Sequence, residues 1–237
     1  MILTGDVKLK GNRKFKSVVT PLDFNKPIIT IRGQNSLSNL KIIDGLIGVK
    51  VEADALVKIH NCKILNNIND GVLADAPLEG EAPATINIVN SLISKNGDGV
   101  DLEASRGSIR NSRLCNQLDD AIDYDGNSNF SVYNNTICNN RDDGIEIRLA
   151  SSTTGIIKGN RIFGNGEDGI EVIDTSEVNT NNLILIRRNK VFRNARYGIS
   201  GVDHDLEDAI QGNIVDEILA KRNRIRKNGI AQIIGIE

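Results

Sequence analysis

A fifteen-residue stretch in the middle of the chain decides its fold. Residues 133–147 read YNNTICNNRDDGIEI, and residues 158–172 repeat the pattern as KGNRIFGNGEDGIEV. The closing phrase recurs seven times at a spacing of 22 to 29 residues: IGVKV (47–51), DGVLA (70–74), DGVDL (98–102), DAIDY (120–124), DGIEI (143–147), DGIEV (168–172) and YGISG (197–201). A repeat of this length is typical of a solenoid whose stacked units bury one continuous core.

Three apolar series run through the aligned repeats and predict three short strands in each coil, with alternate residues turned inward. They are Leu37, Ile59, Ile88, Ile109, Val132, Ile157, Ile186 and Ala220; Ile42, Ile64, Ile93, Leu114, Ile137, Ile162, Val191 and Ile225; and Val49, Val72, Val100, Ile122, Ile145, Ile170 and Ile199. We therefore predict an all-β, single-stranded parallel β-helix of about eight coils. It forms a single domain over residues 1–237, with 1–27 as a first coil or cap and 28–237 as the repeats.

Amide residues mark two corners of each coil. One column holds Asn135, Asn160, Asn189 and Asn223, and the other holds Asn67, Asn96, Gln117, Asn140, Asn165, Asn194 and Asn228. Because Asn tolerates left-handed backbone, these residues are predicted to make the bends. Stacked amides also bond to each other between coils, so we expect Asn ladders at the corners.

Composition limits the classes of partner and the kind of core. The net charge of −2 gives no reason to expect a nucleic acid or a membrane as partner. Aromatic residues make up 3% of the chain and Trp is absent, which favours a core of stacked aliphatic side chains. The start, MILTGDVKLKGNRK, shows no signal peptide. Since a trimmed chain would look the same, an extracellular location stays open and the compartment is unknown.

Two cysteines fall at the same position of adjacent coils. Cys115 and Cys138 share a column with Phe163 and Phe192. The spacing of adjacent coils permits a disulfide. We expect instead a ladder of free thiols and aromatic rings.

Features between the coils and at the end of the chain suggest binding surfaces. The insertions 75–83, 174–181 and 203–216 all follow the Gly-containing strand, so they are expected to flank one sheet. The chain finishes in the strand-like IAQIIGIE. An uncapped coil exposes strand edge. We therefore expect either a truncated chain or an end covered by a homo-oligomer contact or a partner chain.

Acidic residues occupy two positions around the glycine. The Asp before it, as at Asp70, Asp98, Asp120, Asp143 and Asp168, suits a turn. The residue two places after it forms an outward column, Asp101, Asp123, Glu146 and Glu171. Like charges stacked at roughly 4.8 Å repel and raise one another's pKa. Both a solvated acidic face and a functional groove remain open, and in a groove Asp101 and Glu171 are expected to bind substrate.

Three chemistries could use this column. Ca²⁺, the one cofactor considered, takes six to eight oxygens and could be held by Asp98, Asp101, Asp123 and Glu146. Paired carboxylates could hydrolyse a glycosidic bond. A base with an acid partner could abstract a proton from a uronic acid.

The repeat segments 133–147 and 158–172 resemble the parallel β-helix repeat of pectin- and alginate-processing enzymes, over roughly residues 28–237. The resemblance implies a right-handed coil and a polysaccharide partner. Its members include lyases, epimerases, hydrolases and non-catalytic surface proteins. The resemblance therefore implies one fold but several different activities.

Two shorter motifs carry candidate catalytic residues. LDDAID (118–123) and RDDGIE (141–146) are similar to the acidic pairs of polygalacturonases, although Gly-His-Gly and Arg-Ile-Lys are absent from the chain. They imply catalytic roles for Asp120, Asp123, Asp143 and Glu146. NARYGISGVDHD (194–205) is similar to the Tyr-Gly-Phe-Asp-Pro-His motif of mannuronan C5-epimerases, with Asp203 and His204 three residues late. It implies roles for Tyr197 and His204.

Arg148 is the remaining catalytic candidate, since it could bind a substrate carboxylate or simply pair with Glu146. Together these patterns indicate a polysaccharide-binding protein that modifies its ligand as a uronate lyase, an epimerase or a glycoside hydrolase. The alternative is a non-catalytic β-helix scaffold, surface or assembly module.

Overall fold

The chain folds into a parallel β-helix, as the repeats predict. The computed structural model describes residues 1–12, 14, 17–127, 129–150, 152–174, 182–201 and 218–234. Their regular structure consists of strands that run parallel to their neighbours in the preceding and following coils. Among these residues there is no helix long and apolar enough to cross a membrane.

Sheet A is built from the strands that follow the Gly or Ala of the repeated closing phrase. Its members are β1 (Ile2–Leu3), β4 (Ile29–Ile31), β7 (Val49–Val51), β10 (Val72–Ala74), β13 (Val100–Glu103), β16 (Ile122–Gly126), β19 (Glu146–Leu149) and β23 (Ile173–Asp174). A three-stranded sheet D continues this face in the last coils, with β22 (Ile170–Glu171), β26 (Tyr197–Ser200) and β29 (Ala231–Ile234). The N–H of Glu171 donates to the carbonyl oxygen of Ile145 at 2.8 Å, which joins the two sheets.

The other two sides of the coil are nine-stranded sheets. Sheet B holds β2 (Val7–Lys10), β5 (Gln34–Ser38), β8 (Leu56–His60), β11 (Thr85–Val89), β14 (Arg106–Arg110), β17 (Asn129–Tyr133), β20 (Thr154–Lys158), β24 (Leu183–Arg187) and β27 (Ile218–Lys221). Sheet C holds β3 (Val18–Val19), β6 (Lys41–Ile43), β9 (Lys63–Leu65), β12 (Leu92–Ser94), β15 (Arg113–Cys115), β18 (Thr136–Cys138), β21 (Arg161–Phe163), β25 (Lys190–Phe192) and β28 (Arg224–Arg226).

The register aligns the apolar series coil upon coil, which is why the core is continuous. Ile88 pairs with Ile59 in sheet B, and Ile93 pairs with Ile64 in sheet C. Each of these side chains is completely buried. Two aromatic rings interrupt the aliphatic core, since buried Tyr124 stacks on Phe130 with centroids 4.2 Å apart. Tyr124 anchors β16 from the inside, so its neighbours in sequence face outward.

Buried amides form the predicted ladders. The side-chain nitrogen of Asn140 donates to Oδ1 of Asn165 at 2.9 Å, and that of Asn165 donates to Oδ1 of Asn194 at 2.9 Å. A second ladder links Asn135, Asn160 and Asn189 at 3.1 and 3.0 Å. Each amide oxygen also accepts the backbone N–H of the residue one coil earlier, as Asn165 does from Asn140.

The prediction that the ladder amides themselves take the left-handed bend is wrong. At each of these corners, the residue with left-handed backbone comes immediately before the ladder amide. The bend at that residue turns the chain so that the amide after it points into the coil. Between sheets B and C these residues are Asn39, Asn61, Asn90, Asn111, Asn134, Gly159, Arg188 and Arg222. Between sheets C and A they are Asp44, Asn66, Lys95, Asn116, Asn139, Gly164, Arg193 and Lys227.

The expectation of free thiols at Cys115 and Cys138 is also wrong. In-register pairing of β15 with β18 brings their Cα atoms to 4.6 Å, and the two sulfur atoms are bonded in a disulfide. Farther along the same column, the rings of Phe163 and Phe192 stack with centroids 5.1 Å apart. The third cysteine, Cys62, is a buried free thiol.

The features expected to flank the solenoid are only partly within the described residues. The insertion 75–83 joins β10 to β11, at the edge between sheets A and B. Most of 174–181 and all of 203–216 lie outside the described residues. Near the end of the described chain, Ile230 and Ile233 are exposed beside and within β29. A partner covering this end remains a prediction.

Removing one rung of the amide ladder should destabilise the fold. In the Asn165→Ala variant the buried side chain and backbone N–H of Asn140 lose their shared acceptor. We expect a loss of about 2 to 4 kcal/mol in the free energy of unfolding, measured by chemical denaturation. Asn139→Gly, at an exposed bend with a φ of 56°, should change it by less than about 1 kcal/mol. Equal losses in the two variants would contradict a specific role for the ladder.

Candidate functional site

The acidic residues after the glycine form one column on the outer face of sheet A, here called the carboxylate column: Asp101, Asp123, Glu146 and Glu171. Asp101 pairs in register with Asp123, and Asp123 pairs with Glu146. The bond from the Glu171 N–H to the Ile145 carbonyl places Glu171 on the next coil. Glu146 and Glu171 are buried, and the side chain of Asp123 is 16% exposed. The column is therefore only partly exposed to solvent, and the acidic strip of sheet A that contains it is here called the groove.

The aspartates before the glycine form a second column at the adjoining turn, the turn column: Asp98, Asp120, Asp143 and Asp168. Each carboxylate accepts a backbone N–H from the next coil. Asp98 accepts from Asp120 at 2.9 Å, and Asp120 accepts from Asp143 at 2.6 Å. Each carboxylate is thus bonded to the backbone of the next coil, which agrees with the turn role inferred for these aspartates.

The two columns approach each other closely enough to act together. Carboxylate oxygens of Asp120, Asp123 and Glu146 all lie within 4.8 Å of one another. The same holds for Asp143, Glu146 and Glu171, three buried residues. Farther toward the N-terminus, Asp70, Asp98 and Asp101 form a comparable group.

Two members of the site were not singled out from the sequence. Asp119 groups with Asp98 and Asp120, and Asp142 groups with Asp120 and Asp143. The signal was present, because both are the first acid of the pairs in LDDAID and RDDGIE. The resemblance to the polygalacturonase pairs gave roles to Asp120 and Asp143 but not to Asp119 and Asp142, whose carboxylates the structure brings beside them.

Burial and crowding hold many of these carboxyl groups in their protonated form. Burial is the largest cause that raises the pKa of Asp101 to about 8 and that of Asp123 to about 9, with neighbouring carboxylates adding to it. The same causes raise the pKa of Asp120 to about 11 and that of Asp98 to about 7. At neutral pH the groove therefore carries fewer negative charges than its sequence suggests.

Arg148 is the cation that the structure places in this groove. Its guanidinium is ion-paired with Glu146 and lies 3.9 Å from Oδ2 of Asp123 and 3.8 Å from Oδ1 of Asp125. Burial lowers the pKa of Arg148, but these carboxylates outweigh it and raise the pKa overall. Burial raises the pKa of Asp125, and Arg148 opposes that rise. Of the two roles expected for Arg148, the structure shows the pairing with Glu146.

The structure separates the epimerase-like motif from the centre of the groove. Tyr197 opens β26, and its backbone N–H donates to Oδ1 of Asp168 at 2.7 Å. It thus takes the place of the turn aspartate one coil beyond Asp168, three coils from Asp120. Asp203 and His204 lie outside the described residues.

The donor set of the groove suits a hard divalent cation. Asp120, Asp123 and Glu146 offer up to six carboxylate oxygens, and Ca²⁺ takes six to eight oxygen ligands. One carboxylate oxygen, Oδ1 of Asp123, is buried and has no hydrogen-bond partner among the described residues. These buried acidic clusters could hold such an ion, which would also neutralise the crowded charge.

The chain belongs to the right-handed β-helix family. The family description "Right handed beta helix region" matches residues 47–213, more than half of the chain. This establishes the right-handed coil that the repeat segments implied. No curated protein is significantly similar to the chain in sequence.

Solved structures with the same fold belong to proteins of different kinds. A mutant of the periplasmic alginate epimerase AlgG superposes with a TM-score of 0.59 at 16% identity, over 100% of this chain and 69% of the epimerase. The Dettilon tailspike protein gives 0.60 at 14% identity, over 99% of this chain and 60% of the tailspike. The pectate lyase Pel9A gives 0.52 at 11% identity, over 96% and 70%.

Similarities at this identity establish the fold alone. Against another structure of the alginate epimerase, the chain spans 61% of that protein's length. The activity of this chain must therefore be argued from its own groove.

The pH dependence of stability tests the protonated groove. A carboxyl group whose folded-state pKa is raised binds its proton more tightly in the folded state, so stability falls as pH rises above the unfolded pKa. For Asp98, Asp101 and Asp123 the fall spans the range from about 4 up to about 9. In chelator, the melting temperature should therefore decrease from pH 5 to pH 8. Asp123→Asn should raise it at pH 8 and flatten this slope, and an unchanged slope would contradict the assignment.

Proposed function

We propose that this chain binds a polysaccharide along the groove of sheet A and modifies it by proton transfer between the sugar and a pair of carboxyl groups. The observation that carries the proposal is the group formed by Asp120, Asp123 and Glu146, whose oxygens lie within 4.8 Å of one another beside Arg148. A sequence that keeps such a group partly buried must neutralise it by a proton, a cation or both.

The groove combines the two protonation states that glycosidic chemistry needs. The raised pKa of Asp123, about 9, keeps its proton at neutral pH and makes it a candidate general acid. The ion pair with Arg148 favours the charged form of Glu146, which makes it a candidate base or nucleophile. Oxygens of the two carboxyl groups lie within 4.8 Å of each other, and retaining glycosidases hold their two carboxyl groups about 5 to 5.5 Å apart.

The same pair also suits reaction at a uronic acid. There the charged carboxylate would take the proton next to the sugar carboxylate, and the protonated carboxyl would protonate the leaving oxygen. Arg148, whose side chain is 38% exposed, is the candidate to bind the sugar carboxylate. With Ca²⁺ bound, the ion would supply positive charge to a polyanionic substrate, and Asp123 and Glu146 would be ionised ligands rather than acid and base. The four candidate ligands fall in two groups, Asp98 and Asp101 with Asp70, and Asp123 and Glu146 with Asp120.

The comparisons support a polysaccharide as the ligand. Two proteins with this fold are an alginate epimerase and a pectate lyase, and their names give polysaccharides as their substrates. Candidate substrate residues at the two ends of the column are Asp101 and Glu171, with Tyr197 one coil farther. Asp143 lies in both the turn column and the group with Glu146 and Glu171, and is the remaining acid candidate.

A non-catalytic assembly module is the second candidate function. It is favoured by the exposed Ile230 and Ile233 at β29, whose strand edge suits contact with another chain. The absence of Gly-His-Gly and Arg-Ile-Lys from the sequence points the same way.

A screen of polysaccharides distinguishes these functions. We expect either unsaturated products, seen by ultraviolet absorbance, or new reducing ends, or a change of uronate epimer seen by NMR. Asp123→Asn and Glu146→Gln should each lower turnover about 100-fold or more, because each removes one partner of the proton transfer. Asp6→Asn, at an exposed acid between β1 and β2, is the matched control and should retain turnover. Full activity in both groove variants would contradict the proposal, and the absence of any product would favour the module.

Calcium binding has its own test. If the groove holds Ca²⁺, added CaCl₂ should raise the melting temperature relative to chelator, because the folded state alone binds the ion. The rise should disappear in the Asp123→Asn/Glu146→Gln double variant and persist in Asp6→Asn. A melting temperature insensitive to Ca²⁺ and chelator would remove the metal from the proposal.

A further inference from the structure

The charges of this protein are segregated by sheet. No strand of sheet B or sheet C contains Asp or Glu within the described chain, whereas the acids of the groove lie in sheet A, sheet D and their turns. The net charge of −2 conceals this division. The protein can therefore bind an anionic ligand at a locally basic surface even though its net charge is slightly negative.

The basic side chains are densest on sheet C in the last coils. A surface depression of about 300 Å³, here called the basic depression, is lined by Phe192 and by Arg161, Lys190, Arg193, Arg224, Arg226 and Lys227. In-register pairing stacks Arg161, Lys190 and Arg224 one coil apart. None of the salt bridges among the described residues involves these six bases.

Aromatic rings hold two of these arginines in place. The guanidinium of Arg161 lies 4.8 Å from the ring centroid of Phe163 and 5.2 Å from that of Phe192. The guanidinium of Arg226 lies 6.0 Å from the centroid of Phe192. Stacking on a ring restricts an arginine without using its N–H donors. Both side chains are thus ordered in advance for carboxylate or a similar anion.

The backbone shows independently that these charges come at a cost. Arg193 and Lys227 lie at left-handed bends, with φ of 59° and 58°. Four earlier coils place Asn or Gly at this corner, at Asn66, Asn116, Asn139 and Gly164, and those residues adopt this conformation with less strain. Backbone strain that persists in a folded protein points to a functional constraint. Long cations occupy this corner in both coils of the depression, against one of the six earlier coils, where Lys95 stands. This concentration suggests that charge is needed there.

We propose that the basic depression is a second, non-catalytic binding site, which holds a carboxylate-bearing polysaccharide. The choice of a polysaccharide rests on the proposed function of the groove, whereas the anionic character of the ligand rests on the depression itself. Bases repeated about every 4.8 Å along the solenoid suit a polymer with a carboxylate on successive sugar rings. A single-stranded nucleic acid fits less well, because Phe163 and Phe192 stack on each other and on arginines rather than offering open faces to bases.

The variant Arg193→Asn/Lys227→Asn tests this site without endangering the fold. It removes two charges of the depression and installs the residue that Asn116 and Asn139 already provide at this corner. Binding of a fluorescent oligogalacturonate, followed by anisotropy at low salt, should weaken about tenfold, while the melting temperature stays equal or rises. The control Lys95→Asn/Arg113→Gln removes two charges from the same corner and the same sheet in earlier coils. It should weaken binding less than about twofold, and equal losses in both variants would overturn the proposal.

Two further arms separate this site from the groove. In the Asp123→Asn/Glu146→Gln variant, binding at the basic depression should persist while turnover is lost. If that variant instead abolishes all binding, the depression is not the site and the groove proposal stands alone. Oligothymidylate of the same charge should bind at least about tenfold more weakly than the oligogalacturonate. Equal affinity would assign the depression to nucleic acid and contradict the inference.

Discussion

The in-register stacking of parallel coils is the constraint on which the rest of the structure depends. Each strand pairs with the same strand of the next coil, so every side chain meets its counterpart about 4.8 Å away. Where the counterparts are isoleucines, this buries apolar surface continuously. Where they are asparagines, it satisfies a buried donor and a buried acceptor at once, as between Asn140 and Asn165. Repetition of either residue type from coil to coil therefore stabilises the fold.

The same constraint makes repetition of a charge unfavourable, and the groove on sheet A is the result. Asp101, Asp123 and Glu146 cannot move apart, because their strands are fixed by the ladders and by Tyr124 in the core. Burial and repulsion by neighbouring carboxylates raise the proton affinity of Asp101 and Asp123, and Arg148 offsets only part of the charge. Because the scaffold holds these acids close together against their electrostatic repulsion, it favours binding of a proton or a cation at this place.

Much of the fold followed from the sequence, and the reasons for the failures are specific. The apolar series predicted the pairing of Ile59 with Ile88 because a repeat alignment is already a register. It did not distinguish Asn140 from the left-handed Asn139 beside it, since both are amides at a corner and only the chain path decides which one bends. The bond between Cys115 and Cys138 likewise depends on side-chain direction, which spacing leaves open.

The sequence by itself determined the coil, the order of its three strands and the column that contains Asp123 and Glu146, because each depends on repetition along the chain. Tertiary structure alone decided how close the turn acid Asp120 lies to that column, which of its two expected roles Arg148 shows, and that Arg161 lies over Phe192. These contacts join different positions of the repeat or different coils, and their distances depend on how side chains leave the backbone. The charge segregation has the same origin, since a balanced composition becomes two oppositely charged faces only when the chain is wound into a coil.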